Sequence, residues 1–104
     1  MKVYRYEDPE GIGPYRSTLL MDMYELGFNH NNGDIHPDWD DDCITYYDYN
    51  YKAACESIDK LHEWFSEEEQ VALIEEGYII KEYEVDEQDV IYGKSGKQLV
   101  FKLN

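Results

Sequence analysis

The chain has 104 residues, room for one domain (1–104), and its 42% apolar residues suffice for a single small core. Asp and Glu number 24 against nine Lys and Arg, a formal net charge of −15. That balance argues against direct binding to nucleic acid or an anionic membrane, whose phosphates are engaged through Lys and Arg.

Lys2 to Tyr6 alternates aromatic and aliphatic residues with basic ones, the period-2 pattern of a strand. Asp8-Pro9-Glu10-Gly11-Ile12-Gly13-Pro14 follows as a turn-rich loop. Ser17 or Thr18 can cap a short helix with Leu19, Leu20, Met23 and Leu26 at helical spacing and Gly27 as its stop. Asn29 to Asp42 is an acidic loop with a turn signal at Asn32-Gly33. A second helix is expected from Ser57, burying Ile58, Leu61, Trp64 and Phe65. Ser66 and Glu69 then form the capping-box pattern of a third helix, which runs through Val71, Leu73 and Ile74 to Gly77. Tyr78 to Val85 reads as a strand, and Val90 to Tyr92 pairs with Gln98 to Leu103 across Gly93-Lys94-Ser95-Gly96. The expected fold is therefore α+β: a small antiparallel sheet from the N- and C-terminal strands, with two or three short helices from the middle of the chain.

The acidity is uneven. Residues 1–16 are neutral overall, 17–52 carry −7, 53–76 carry −7 again, and 77–104 carry −1. Solubility alone asks for a magnitude of roughly 2–8 in a small domain. The central 60 residues exceed that at the cost of self-repulsion, which points either to a purpose for the charge or to acidic drift in a soluble protein.

The motifs for chemistry are sparse. His36-Pro37-Asp38-Trp39-Asp40-Asp41-Asp42 gathers imidazole and carboxylates, with His30 and Asp34 just before, but matches neither calcium-loop nor zinc-site spacing, so no metal and no cofactor is expected. His62 reads as structural or exposed. Cys43 and Cys55 lack the basic or histidine neighbours that lower a thiol pKa and read as buried thiols. They are too few for a disulfide scaffold, and the start, Met1-Lys2-Val3-Tyr4-Arg5, is no apolar leader. No run reaches the ~18 apolar residues of a membrane span. A cytoplasmic, reducing setting is expected. Gly93-Lys94-Ser95-Gly96 superficially suggests a phosphate loop but lacks the upstream glycine and following helix. Tyr46, Tyr47, Tyr49 and Tyr51 fall within six residues; if extended, Tyr47, Tyr49 and Tyr51 share one face, either core or a binding surface.

Val3-Tyr4-Arg5-Tyr6-Glu7, Gly13-Pro14-Tyr15-Arg16, His36-Pro37 with its acidic run, Glu56 to Phe65, Gly77-Tyr78, Tyr83-Glu84-Val85 and Gln98-Leu99-Val100-Phe101 resemble small uncharacterised proteins of phages and prophages. The resemblance implies a host-cell cytoplasmic setting. The layout is also similar to a minimal ADP-ribosyltransferase-like fold, with Arg5, Ser57 and Gln98 in the positions of its dinucleotide-binding, middle and catalytic residues. Gln98 lacks the carboxylate that would stabilise an oxocarbenium-like centre, which implies an inactive site. If the chain is nonetheless such an enzyme, Arg5 and Ser57 are its catalytic candidates.

Charge segregation and resemblance together favour a stoichiometric inhibitor of anti-CRISPR or anti-restriction type. Its expected partner is a basic nucleic-acid-binding protein or ribonucleoprotein, whose groove it blocks by charge mimicry. The candidate contacts are Asp38, Trp39, Asp40, Asp41, Asp42, Tyr47, Tyr49, Glu67 and Glu68. The alternatives are the ADP-ribosyltransferase-like enzyme and a phage accessory protein that binds a partner without mimicry.

Overall fold

The structure is a computed structural model that describes residues 1–14, 36, 42, 44 and 50–102. Its elements run β1 (Lys2–Glu7), β2 (Tyr51–Ala54), α1 (Ile58–Trp64), α2 (Glu67–Glu75), β3 (Ile79–Glu84), a 3-10 turn (Glu87–Asp89), β4 (Val90–Tyr92) and β5 (Leu99–Lys102). The architecture is α+β, with all strand pairs antiparallel and both described helices from the middle of the chain. The predicted first helix around Leu19–Leu26 lies outside the described residues.

The strands form two sheets, β1-β3 and β2-β5-β4, rather than one. A bridge joins them: Tyr4 donates its amide to Cys55 O at 2.9 Å and accepts from Cys55 N at 2.8 Å. Through it the strands follow the order β3-β1-β2-β5-β4. Tyr4 thus turns its peptide groups away from β3, and alternation leaves Val3, Arg5 and Glu7 to bond Tyr83, Lys81 and Ile79.

Side-chain alternation gives this surface two buried faces. On one, Tyr6 and Cys55 meet Leu61, Trp64, Phe65, Leu73 and Tyr78 of the helical layer; Tyr6 stands edge-on to Phe65 at 5.3 Å. On the other, Val3, Ala54, Leu99 and Phe101 cluster with Met1, Tyr83, Val85 and Val90.

Both helices begin where their caps dictate. Ser57 accepts from Lys60 N at 3.1 Å and starts α1. At α2, Ser66 Oγ accepts from Glu69 N at 3.2 Å, while the Glu69 carboxylate accepts from Ser66 N at 2.9 Å, the full reciprocal box. Gly77, at φ +93°, ends α2 in a left-handed conformation and turns the chain into β3. Ile58 departs from expectation: it starts α1 one turn before Leu61 and remains exposed, leaving Leu61, Trp64 and Phe65 to carry the buried side.

Candidate partner-binding surface

Three described carboxylates face inward, and each holds part of the fold. Glu7, almost fully buried at the end of β1, accepts from Tyr83 Oη at 2.5 Å and lies 3.0 Å from Arg5 Nε. Arg5 Nη1 donates onward to Ala53 O at 3.1 Å, tying β1 to β2. Burial lowers the Arg5 pKa, with Glu7 and Tyr83 opposing. The Tyr83 hydroxyl is pushed up to about 12 by desolvation first and then by its hydrogen bond to Glu7.

Asp42 is the second. Its carboxylate accepts from Ser95 N at 2.5 Å, Ser95 Oγ at 2.9 Å and Gln98 Nε2 at 3.1 Å, while its carbonyl accepts from Lys94 N at 2.8 Å. Gly93 is required here because a Cβ would collide with that carboxylate. The loop Gly93-Lys94-Ser95-Gly96 therefore does hold an anion, through the Ser95 amide and hydroxyl, but the anion is the chain's own. Glu69, in the α2 capping box, is the third.

The helical layer faces outward. Residues 53–76 carry eight acids and one lysine, Lys60. Lys60 is committed: its ammonium bonds the Glu56 carboxylate and donates to Gly96 O at 2.8 Å, and the hydrogen bond to Glu56 raises its pKa. Asp59 and Glu63 lie one turn apart on α1. Glu67 and Glu68 open α2, and Glu75 and Glu76 close it. All six are exposed, and none forms an ion pair among the described residues. Between them on α2, Val71 and Ile74 are also exposed, at 56% and 62%.

Of the contacts expected from the sequence, Glu67 and Glu68 stand on this exposed layer. Asp42 does not: at 1% exposure, with its carboxylate bound internally, it is a structural residue and leaves the set of surface contacts. Asp38, Trp39, Asp40, Asp41, Tyr47 and Tyr49 lie outside the described residues. Asp59, Glu63, Glu75 and Glu76 share the exposed acidic layer with Glu67 and Glu68, and the sequence signal for all six is the −7 balance of residues 53–76.

An ADP-ribosyltransferase-like layout finds no support. Arg5 serves Glu7 and Ala53, Ser57 caps α1, and Gln98 holds Asp42. Cys55 is buried, donates its thiol to Lys97 O at 3.5 Å, and is pushed up to about 12 by burial, so it stays an inert thiol at neutral pH. Cys43 lies outside the described residues. His36 Nε2 lies 2.7 Å from Trp64 O at the end of α1 and its ring meets Trp64 edge-on, a structural contact. Among the described residues no three His, Cys, Asp or Glu group as metal ligands, and no helix is long and apolar enough to cross a membrane.

The family model of the bacteriophage T4 Y00F protein matches residues 1–104. The chain belongs to that phage protein family. No curated protein and no solved structure matches it. The resemblance of its sequence blocks to small phage proteins thus reflects kinship over the whole length.

Proposed function

We propose that this phage protein acts by stoichiometric binding: its acidic helical layer occupies the basic groove of a host nucleic-acid-handling protein in place of phosphates, as an anti-CRISPR or anti-restriction inhibitor would. The observation that carries the reading is the set of six exposed carboxylates on α1, α2 and its C-cap, with no ion pair among the described residues, beside a lysine already committed to Glu56. Two of the six are costly to the fold. Glu75 and Glu76 sit at the negative end of the α2 dipole, where a lysine or arginine would be favoured, and the last turn contains no basic residue. An unfavourable charge that is nevertheless present fits a role in recognition. Duplex DNA carries about one charge per 1.7 Å of axis, so only a dense acidic face competes with it.

Val71 and Ile74 supply apolar contact within the acidic layer, slowing release while charge speeds encounter. Asp38, Trp39, Asp40, Asp41, Tyr47 and Tyr49 extend the proposed contact set. The test is capture from host lysate on the immobilised chain, with and without added duplex DNA, followed by affinity across a salt series. A nucleic-acid-binding protein displaced by DNA, with affinity falling as salt rises, is the expected result. Capture indifferent to both DNA and salt would refute mimicry.

A further inference from the structure

We propose that the outer edge of β3, which no described strand pairs, accepts an extended basic segment of the protein partner as an added antiparallel strand. Among the described residues β3 pairs with β1 alone. Because Ile79, Lys81 and Tyr83 form the hydrogen-bonded pairs with β1, the peptide groups of Ile80, Glu82 and Glu84 point outward, and no backbone partner meets them among the described residues. Proteins usually blunt such an edge by charged side chains, a bulge, a proline or a covering element. β3 carries the first of these in Lys81, Glu82 and Glu84, which discourage uncharged strands rather than an oppositely charged one. β3 is six residues long and contains no proline, and its own Ile79 and Ile80 are 57% and 36% exposed.

Charge selects the occupant. Residues 75–87 carry six acids and one base, Lys81. Glu82 and Glu84 reach Lys2 Nζ and the N-terminal ammonium at 3.7 and 3.5 Å, in exposed pairs that a partner's cations can enter. A second copy fits poorly. Two-fold antiparallel pairing of β3 with itself sets Glu82 against Glu82 or Lys81 against Lys81, between chains of −15 each. An incoming strand is instead specified residue by residue: Lys or Arg opposite Glu84 and Glu82, and apolar residues opposite Tyr83, Ile80 and Ile79. Strand addition takes its affinity from the main chain and its specificity from these alternate side chains. The proposal rests on the preceding reading only for the basic character of the partner.

The probe is a capped peptide, Lys-Val-Lys-Ser-Ile-Val, added to the full chain and followed by amide NMR and hydrogen exchange. The Ile80, Glu82 and Glu84 amides should shift and become protected. The counterpart with both lysines replaced by glutamate should bind about tenfold more weakly or worse, from two cross-strand pairs turned repulsive. Glu82→Pro removes an outward N–H that β1 does not use, so the fold should tolerate it while peptide protection is lost. E82K/E84K provides the same test with the backbone intact. Unchanged β3 amides, equal binding of both peptides, or a dimer abolished by Glu82→Pro would overturn the proposal. Capture of a DNA-displaceable host protein undiminished by Glu82→Pro and E82K/E84K would overturn it too, leaving the acidic helical reading intact. Peptide binding without DNA-sensitive capture would do the reverse.

Discussion

Glu7 and Glu75 are the same residue type in opposite situations. Glu7 lies under the sheet with Arg5 and Tyr83 on its carboxylate, whereas Glu75 stands in water at the unfavourable end of α2 with no partner among the described residues. Asp42 and Glu69 belong with the first; Asp59, Glu63, Glu67, Glu68 and Glu76 belong with the second. The net charge of −15 is thus two populations: carboxylates that hold the fold and carboxylates that the fold holds out. Substitutions should separate them: loss of the inward group lowers stability strongly, loss of the outward acids of the helix first turns lowers it only modestly, and loss of Glu75 and Glu76 leaves it unchanged or improved.

The largest effect is expected at Glu7. Glu7→Ala strands the buried Arg5 guanidinium and should cost about 3–5 kcal/mol in urea unfolding. Asp42→Ala leaves the Ser95 and Gln98 donors unmatched, a loss of about 1–3 kcal/mol. Gly93→Ala should destabilise by a similar amount, and less once Asp42 is already alanine, because the closest clash is then gone and only the Gln98 carbonyl at 3.0 Å remains; a double-mutant cycle reads this directly.

Tyr83→Phe should cost about 1.5 kcal/mol at neutral pH through the lost bond to Glu7. The pH dependence has a definite sign. The Tyr83 pKa is raised from 10.0 to about 12, so its contribution is complete below pH 10 and is lost as pH climbs through 12. The stability gap between wild type and Tyr83→Phe should therefore narrow over that interval in alkaline unfolding titrations. Ser66→Ala should cost about 1 kcal/mol by removing the α2 cap. The smallest effect carries the opposite sign: Glu75→Lys should raise stability by about 0.3–1 kcal/mol, by thermal unfolding, while weakening partner capture.

Local signals were readable where local chemistry decides. Ser66 and Glu69 announce α2, Ser57 caps α1, and β1 and the β4–β5 hairpin follow from alternation and glycine placement. β2 was missed because Tyr51-Lys52-Ala53-Ala54 has weak strand propensity and extends only through pairing with β5, some 45 residues away. The single sheet became two bridged at Tyr4 and Cys55 for the same reason: no local pattern encodes that contact. Asp42 is the sharper case. In the sequence it is indistinguishable from Asp40 and Asp41, and its inward turn depends on Ser95 and Gln98, more than 50 residues on. The candidate surface was legible as a charge balance, but which carboxylates compose it was not.

The most direct test is to neutralise four of the six outward carboxylates and none of the inward ones. Asp59→Asn, Glu63→Gln, Glu67→Gln and Glu68→Gln combined keep size and shape while removing four exposed charges. The variant is expected to remain folded with a loss of at most about 3 kcal/mol, since Asp59, Glu67 and Glu68 favour the helix N-termini at about 0.3–1 kcal/mol each, and to lose DNA-displaceable capture of host nucleic-acid-binding proteins. Wild-type capture by this variant would contradict the account.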